Sequence, residues 1–234
     1  SLKLRILAAV ATSTAILFLT GCATKPQLPV ALNPAALSAP GTRTGVAMTA
    51  LPQVDTDFPG ANCLLCIAAA SMANSSLTTH AKSLGYEDLA RLKALLAELI
   101  RQRGGEPVVI AEDIKFDAYP ERKVGEGVDE SRRDFSTLQV KHKIDKLLLV
   151  NTYTIGFQRT YAAYFPTSDP KAILAGSGAL IDLKTQKYDW YKPLAIVRAS
   201  DGAWDEPPKF PGLSNAYFQM LELGKDEVLK PFKP

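Results

Sequence analysis

The sequence predicts an α+β fold, or the related α/β class, in which helices pack on a single mixed β-sheet. Two observations support this prediction. A strand-like, a helix-like and a second strand-like segment follow one another within residues 45–111, as in a crossover unit. Farther along, residues 146–191 contain long strand-like segments and a short turn, as in an antiparallel hairpin. At 47% hydrophobic residues, the 234-residue chain is ordinary for a globular protein.

The beginning of the chain resembles the signal segment of a bacterial lipoprotein. Lys3 and Arg5 give it a short positive start, and residues 6–19 form an uncharged run too short to span a bilayer comfortably. The next letters, "LTGC", end at Cys22 and are similar to a lipobox, in which the cysteine is lipidated and becomes the first mature residue. The alternative is a buried core helix that ends in Gly-Cys.

The lipobox predicts three parts of the chain. Residues 1–21 would be the signal peptide, 22–44 the lipidated cysteine with a flexible, proline-rich tether, and 45–234 a periplasmic domain with a C-terminal helix. Each buried CH₂ of an acyl chain such as palmitate contributes about 0.8 kcal/mol, so several chains would hold the protein firmly. Because Ala23 rather than Asp follows the cysteine, we expect an outer-membrane location facing the periplasm.

The charge balance gives no reason to expect a nucleic acid as partner. Removing residues 1–21 would leave 213 residues and lower the net charge from +3 to +1. Proteins that bind nucleic acids carry a strongly basic patch, and so balanced a chain does not require one. Apart from the covalent lipid, the sequence suggests no cofactor.

The first predicted elements of the domain are a strand and a short helix. Residues 45–51 form an apolar run that Pro52 ends, which is typical of a strand. The segment 54–62 is predicted to be a loop. Residues 63–72 are uncharged and rich in alanine, which predicts a short buried helix, and 73–85 are polar and turn-like.

The clearest predicted helix covers residues 86–103. Its leucines and Ile100 recur at the i, i+3, i+4 spacing of one apolar face, and Gly104 ends it. The apolar run 107–111 then predicts a strand, which completes the crossover unit.

The middle of the chain predicts a loop, a helix and a long strand. Residues 112–133 are charged and contain glycine, which favours an exposed loop. Asp134 can cap a helix over 135–143. Residues 146–161 begin with an apolar run and then alternate, which predicts a strand.

The last predicted elements are two strands and a helix. Residues 173–183 form a strand in which Gly176 and Gly178 indicate close backbone approach or a bulge. A turn leads to an aromatic return strand at 188–191. The tail supports a final helix with Ser214 as its N-cap.

Two long stretches carry a resemblance to a known group. The letters "IDKLLLVNTYTIGFQRTYA" and "AILAGSGALIDLKTQKYDWY" are similar to the second half of envelope lipoproteins such as the curli secretion-channel lipoprotein and the lipoprotein activator of penicillin-binding proteins. Their shared fold resembles the amino-terminal domain of TolB, and the likeness covers about residues 45–192. Gln186 stands where the group usually has glycine, and 56–80 has no counterpart. The resemblance implies a structural hairpin, not a catalytic signature.

The letters "NCLLC" place Cys63 and Cys66 three positions apart. Two nearby thiols tend to pair in an oxidising periplasm, and so short a bridge fits best at an irregular first turn of a helix. A thioredoxin-like redox pair and buried free thiols remain as alternatives, although Leu64 and Leu65 are apolar and no strand leads directly into them.

Other motifs do not point to catalysis. His80 and His142 show no ligand spacing with the cysteines, so we expect no metal site. The chain has no G-x-S-x-G nucleophile elbow, and Gly176-Ser177-Gly178 is better explained by packing. We therefore predict no catalytic residue.

Aromatic loops are the most suggestive surface feature of the sequence. Exposed aromatic and proline-containing loops favour protein recognition, although such rings can instead cover the edge of a core. The candidates for partner binding are Tyr161, Tyr164, Phe165, Trp204 and Phe210.

The sequence thus favours a non-enzymatic binding or assembly factor that lipid on Cys22 holds at the outer membrane. Its partner would be an envelope protein of a peptidoglycan, secretion or surface-appendage complex, or further copies of itself. The alternative is an envelope enzyme, either a thiol oxidoreductase that uses Cys63 and Cys66 or a hydrolase with an unrecognised site.

Overall fold

The protein is represented by a computed structural model that describes residues 26–124 and 129–233. The predicted signal peptide, 1–21, and the predicted lipidation site, Cys22, lie outside the described residues. The strands are β1 (Arg43–Met48), β2 (Asp55–Asp57), β3 (Glu106–Val109), β4 (Lys146–Gln158), β5 (Tyr161–Ala162), β6 (Phe165–Pro166), β7 (Lys171–Asp182) and β8 (Lys187–Ala199). The α-helices are α1 (Ala35–Ser38), α2 (Leu64–Ala73), α3 (Ser75–Lys82), α4 (Glu87–Ala90), α5 (Leu92–Gln102), α6 (Ser136–His142) and α7 (Pro211–Leu229).

The main sheet is mixed, which confirms the predicted α+β class. Its strand order is β3-β1-β4-β7-β8, with β3, β1 and β4 parallel and β4, β7 and β8 antiparallel. Strand β2 pairs with the far end of β4, beyond the end of β1. The predicted crossover unit is also confirmed, because β1 and β3 are parallel neighbours. A separate hairpin of β5 and β6 follows β4.

Side chains of the central strands alternate between two cores on opposite faces of the sheet. Val46 and Leu148 point into the larger core, which α1, α3, α4, α5 and α7 cover. Ala47 and Leu147 point into the smaller core, beneath α6. The connections from β1 to β3 and from β3 to β4 run in opposite directions along the sheet. Crossovers of one hand therefore place α5 and α6 on opposite faces.

The glycines of β7 confirm the predicted close approach. A Cβ atom at Gly178 would lie 2.3 Å from the Trp190 ring, and one at Gly176 would lie 2.3 Å from the carbonyl oxygen of Asn151. Trp190 packs flat against the strand because Gly178 has no side chain, and its ring meets Phe232 edge-on at 5.0 Å.

Gln186 lies in the β7–β8 turn, at the position where the lipoproteins that the sequence resembles usually have glycine. Its φ of 58° lies in the left-handed region. The side chain is buried and satisfies two backbone groups, because Oε1 accepts from the Phe135 amide at 3.1 Å and Nε2 donates to the Leu183 carbonyl at 2.7 Å. The turn is thereby joined to the start of α6.

Replacing Gln186 by alanine is expected to lower the free energy of unfolding by about 2 kcal/mol, because a buried amide and a carbonyl lose their partners. Alanine at this position has the same backbone strain as glutamine, because the φ angle stays in the left-handed region. The decrease in the free energy of unfolding therefore measures the contribution of the two hydrogen bonds. Urea unfolding measures it, with Lys184→Ala in the same exposed turn as control. Equal stability of the two variants would contradict the assignment.

Several predicted segments differ from the structure. The flexible tether is wrong from residue 30 onward, since Val30 bridges to Tyr191 and Leu37 is buried in the larger core. The polar segment 73–85 contains α3, and the single helix 86–103 is divided at Arg91 into α4 and α5.

The remaining differences concern element ends. The predicted loop 54–62 contains β2, the strand 146–161 stops at Gln158, and the return strand extends to Ala199. The last helix begins at Pro211, because proline suits a first helical position, rather than after a cap at Ser214.

Candidate functional site

An exposed apolar area lies where β2, α2 and the β5–β6 hairpin meet. Leu64 is 88% exposed, Met72 78% and Phe165 74%. We call this area the apolar surface and define it by six side chains: Leu64, Leu65, Ile67, Met72, Tyr164 and Phe165. Single exposed hydrophobic residues are normal, whereas adjacent ones indicate an interaction site.

Helix α2 forms for local reasons, but it is not buried as predicted. Alanine and leucine favour helix, and Cys63 caps the start through its Sγ atom, which accepts from the Cys66 amide at 3.0 Å. Of the ten residues of α2, all described, only Cys66 and Ala70 are buried. A helix that is apolar all round normally lies inside a protein or a larger assembly. Here a narrow buried stripe, formed by Cys66 and Ala70, packs α2 against the rest of the domain.

Asn74, at the end of α2, fastens the helix to the hairpin. It is 2% exposed. Its Nδ2 atom donates to the Tyr161 hydroxyl and to the Ala70 carbonyl, both at 2.7 Å, and its Oδ1 atom accepts from Arg159 at 3.1 Å. A buried amide with three partners specifies one arrangement of the elements around it.

The loop before α2 and the hairpin are also in backbone contact. A Cβ atom at Gly60 would lie 1.8 Å from the Tyr161 carbonyl oxygen, so only glycine fits there. The Tyr161 amide donates to the Pro59 carbonyl at 2.7 Å, and the Phe58 ring meets the Tyr161 ring edge-on at 5.8 Å. The two halves of the apolar surface are thus held together.

Replacing Asn74 by alanine is expected to lower the free energy of unfolding by about 2 kcal/mol, because the buried Tyr161 hydroxyl and Arg159 each lose a partner. Faster amide exchange in the hairpin than in β7 would show that the loss is local. Ser75→Ala, one position on in an exposed part of α3, is the control. Unchanged hairpin exchange would contradict the fastening role.

The five predicted partner-binding residues do not form one site. Tyr161 is buried, so its assignment as a surface contact was wrong. Trp204 stacks on Phe210 with ring centroids 6.1 Å apart, and both pack against the larger core. They therefore cover the core edge, the alternative that the sequence left open. Tyr164 and Phe165 are exposed and belong to the apolar surface.

Trp204 has an indirect role beneath the apolar surface. The Arg159 guanidinium lies 4.8 Å from the Trp204 ring centroid, in cation–π geometry. The same side chain donates to Asn74 and to the Ser168 carbonyl. Trp204 thus helps to position Arg159, which holds the hairpin to α2. The sequence could not show this, since the three residues are far apart along the chain.

A groove of about 750 Å³ runs beside the apolar surface, between β2 and the helices α2 and α3. Phe58 and Ile67 form its apolar wall, and an exposed ion pair between Lys82 and Asp55 at 3.4 Å closes one side. The volume of this groove is within the range typical of ligand sites in proteins.

Cys63 and Cys66 are within disulfide-bonding distance, with sulfur atoms 2.24 Å apart. As expected, the pair occupies the irregular start of a helix, with one cysteine at the N-cap and the other in the first turn. Cys63 is exposed, whereas Cys66 packs with Ala61, Ala70 and Tyr161. The pair lies at the edge of the apolar surface.

A second cleft, of about 640 Å³, lies on the opposite face of the sheet. Tyr188 and Tyr191 line it, and burial raises the pKa of both hydroxyls. Arg122 donates to the Ser131 and Gln186 carbonyls, and Arg133 contacts Asp117 and Glu121. These two arginines brace the loop over the smaller core, so the predicted exposed loop 112–133 is in part a packed element.

His80 and Ser214 form the one pairing that resembles hydrolase chemistry within the described ranges. The ring Nε2 atom lies 2.7 Å from the Ser214 Oγ atom. That hydroxyl also lies 3.0 Å from the Phe210 carbonyl, a backbone acceptor that competes with the ring nitrogen for its proton. Burial, and then the charge of Lys209, lower the pKa of His80. The pair joins α3 to the start of α7.

The described residues contain neither a candidate metal cluster nor a candidate membrane-spanning helix. Among residues 26–124 and 129–233, no group of three or more His, Cys, Asp and Glu side chains could hold a metal ion. No helix in the same part of the chain combines the length and apolar character needed to cross a membrane.

Comparisons with known proteins find similarity only at the level of structure. The chain matches no protein-family profile and no curated protein sequence. It is similar to the PelC dodecamer from Paraburkholderia phytofirmans, with 9% identity, a TM-score of 0.35 and coverage of 88% of this chain and 95% of that one. A single-residue variant of PelC gives 8% identity, a TM-score of 0.32 and coverage of 88% and 96%.

A third similar structure is a Xanthomonas campestris protein of the family DUF330. Its identity is 11% and its TM-score 0.32, with coverage of 87% of this chain and 93% of that one. TM-scores this low carry no argument about the function of this chain. The resemblance to lipoproteins with a TolB-like domain therefore stays a prediction.

Proposed function

We propose that this protein is a lipid-anchored lipoprotein of the outer membrane that binds a partner protein of an envelope complex through the apolar surface. It acts by binding rather than by catalysis. The observation that carries the proposal is the exposure of α2, an uncharged helix that contacts its own domain only through a narrow stripe. Covering such a surface with a partner is favourable by about 25 cal/mol per Å² of apolar area.

The chemistry of the surface favours a protein over a bilayer as its occupant. Helices that lie in a membrane interface carry lysine and arginine on their polar face. Residues 58–79, which contain α2, have neither. Tyr164 and Phe165 add aromatic rings, which are enriched at the centres of protein interfaces.

The position of the surface supports the same occupant. The N-terminal segment joins the sheet at Val30, which bridges to Tyr191, and Tyr191 lies level with Leu149 of β4. The apolar surface adjoins the other end of β4, near Gln158. Nine residues of strand separate these positions, a distance of about 30 Å.

The length of the predicted tether limits the distance between the membrane and the start of the domain. The eight peptide units from Cys22 to Val30 span at most about 29 Å in any conformation. The end of the sheet that carries Val30 is therefore held near the leaflet. The apolar surface, at the other end, is free to meet a protein in the periplasm.

A photo-cross-linking residue at position 65, in the full lipidated chain in its own envelope, tests the proposal. We expect one heterologous envelope protein to be captured there and not from position 140, an equally apolar, 81% exposed site on α6. Capture of lipid or of a second copy would contradict the proposed occupant, as would equal capture from both positions.

Affinity for the captured protein gives the quantitative test. The double variant Leu65→Ser/Phe165→Ser is expected to bind it at least tenfold more weakly, because two apolar contacts are lost. The matched control, Val140→Ser/Phe218→Ser, changes one aliphatic and one phenylalanine side chain elsewhere and is expected to bind within twofold of the wild type. Titration calorimetry with purified proteins measures both.

A further inference from the structure

We propose that Cys63 and Cys66 form a thiol–disulfide exchange site, whose ligand is a cysteine thiol of the polypeptide seated on the apolar surface. The inference rests on the proposed function, because the same surface would hold that polypeptide. It adds a reversible covalent bond to an association that is otherwise apolar.

The first observation is that this disulfide joins no separate parts of the fold. It links the N-cap of α2 to the first turn of the same helix, with Cα atoms 4.9 Å apart. On the chain-entropy relation, a disulfide that closes so small a loop stabilises a protein less than one that closes a longer loop. Asn74 and Gly60 already fasten α2 and its neighbours. A structural role therefore explains little of its position.

The second observation is the unequal access to the two sulfur atoms. Cys63 is exposed, whereas Cys66 is 2% exposed and lies among apolar side chains. In thiol–disulfide exchange the attacked sulfur must be open to the incoming thiolate. The structure therefore assigns Cys63 as the sulfur that bonds to the partner, and Cys66 as the one that leaves and later returns.

The third observation is the polar environment of Cys63. The Cys66 amide donates to the Cys63 Sγ atom at 3.0 Å, at a helix start where unpaired backbone N–H groups favour negative charge. The Tyr164 hydroxyl oxygen lies 3.7 Å from the same sulfur. Both groups face the attacked sulfur, where they stabilise the negative charge that the three sulfur atoms share in the transition state of exchange.

The exchange is balanced without a further reagent. The partner thiolate attacks Cys63 Sγ, the Cys63–Cys66 bond breaks, and Cys66 leaves as a thiolate that takes a proton from water. The partner sulfur is oxidised to the level of a disulfide, and Cys66 is reduced to a thiol. In the reverse step the Cys66 thiolate attacks Cys63, the original disulfide re-forms, and the partner thiol is released.

The side chains around Cys63 select the ligand. Leu64 and Leu65 follow it directly, and Tyr164 lies beside it. An apolar segment that docks on these residues brings its own cysteine to Cys63, which raises the effective concentration of the thiol. A thiol in a polar segment lacks this advantage. Selection by flanking sequence thus distinguishes a built site from an accessible disulfide.

The test uses the wild-type oxidised protein and two synthetic peptides. Each peptide has one cysteine, flanked by leucine and phenylalanine in the first and by serines in the second. We expect intact-mass and peptide-mapping spectra to show a mixed disulfide on Cys63, formed at least tenfold faster with the apolar peptide. In Leu65→Ser/Phe165→Ser the two rates are expected to become equal.

The failing outcomes are separate from those of the proposed function. A folded protein that forms no mixed disulfide, forms it on Cys66, or reacts equally with both peptides overturns the exchange site. The partner affinity of Leu65→Ser/Phe165→Ser is measured independently, so binding can persist when exchange fails.

Discussion

Replacing Gly156 by alanine is expected to detach β2 from β4 and to lower the free energy of unfolding by about 3 kcal/mol. Gly156 has a φ of 149°, a conformation that other residues rarely adopt. A Cβ atom there would lie 1.8 Å from the carbonyl oxygen of Asp55, its partner in the parallel ladder. The backbones must separate to make room, because neither side of this contact is a flexible side chain.

Gly202 supplies a matched control for this variant. Its φ of 147° is nearly the same, but an added Cβ would meet no atom within 4 Å. Gly202→Ala therefore carries the backbone strain without the collision, and we expect it to cost about 1 kcal/mol. Urea unfolding of both variants separates strain from steric exclusion. Equal losses would show that the approach of β2 to β4 is not what requires glycine.

The consequence for function follows from what β2 supports. The strand leads directly to Phe58 and Gly60, and the Thr56 hydroxyl lies 2.6 Å from the Thr78 hydroxyl of α3. Hydrogen exchange in Gly156→Ala is expected to rise over β2 and α2 before it rises over β7. Binding of the proposed partner is expected to weaken in the same variant, although no residue of the apolar surface has changed.

Hydrophobic periodicity predicted the sheet and most of its helices. β4 was recognisable because Leu147, Leu148 and Leu149 are followed by alternation, and a central strand with both faces covered has this pattern. The helix predicted over 135–143 matches α6 within a residue, because Leu138 is buried and the Asp134 carboxylate accepts from the Ser136 amide at the helix start. These patterns involve residues close together in the sequence, and they indicate which side chains are buried.

Elements held by distant contacts were not predictable in this way. Helix α3 reads "SSLTTHAK", with only Leu77 and Ala81 on a buried face, and contacts such as that between His80 and Ser214 hold it in place. Leu37 enters the core from a proline-rich segment that has no periodicity of its own. In both cases a few contacts with distant parts of the chain decide the packing.

The candidate site shows more clearly that composition alone does not predict which side chains are buried. The uncharged run 63–72 was expected to be buried, yet α2 has mostly exposed side chains. Composition alone does not distinguish a buried apolar helix from an exposed one. The aromatic rings were ambiguous for the same reason. Trp204 is covered by a stack with Phe210, whereas Phe165 is not covered. Only the folded arrangement distinguishes them.

Lys146→Met is the second variant for which we expect a large effect, a loss of about 3 kcal/mol in the free energy of unfolding at pH 7. The Lys146 ammonium is nearly buried and lies 2.5 Å from an Asp189 carboxylate oxygen and 3.3 Å from one of Asp182. Methionine fills a similar volume but leaves two partly buried carboxylates without their cation. The Asn33 amide donates to the Asp189 carbonyl, so the N-terminal segment is attached at the same place.

The pH dependence of this loss identifies its cause. Burial alone would raise the pKa of Asp182, but hydrogen bonds from Thr185 and the charge of Lys146 hold it below the ordinary value of 3.8. A carboxyl whose folded pKa is lowered contributes stability that is present above pH 3.8 and is lost as the pH falls through the lower folded value. The difference in the free energy of unfolding between wild type and Lys146→Met is therefore expected to decrease below pH 3.8.

Lys187→Met is the matched control, because Lys187 lies at the start of β8 and pairs at 3.1 Å with Asp129 on the exposed surface. Exposed pairs contribute little, so we expect a loss of about 0.5 kcal/mol or less. Urea unfolding at pH 7 and at pH 3 compares the three proteins. The loss in Lys146→Met could equal that of the control, or it could be the same at pH 3 as at pH 7. Either result would show that the cluster of Lys146, Asp182 and Asp189 does not hold this end of the sheet to the N-terminal segment.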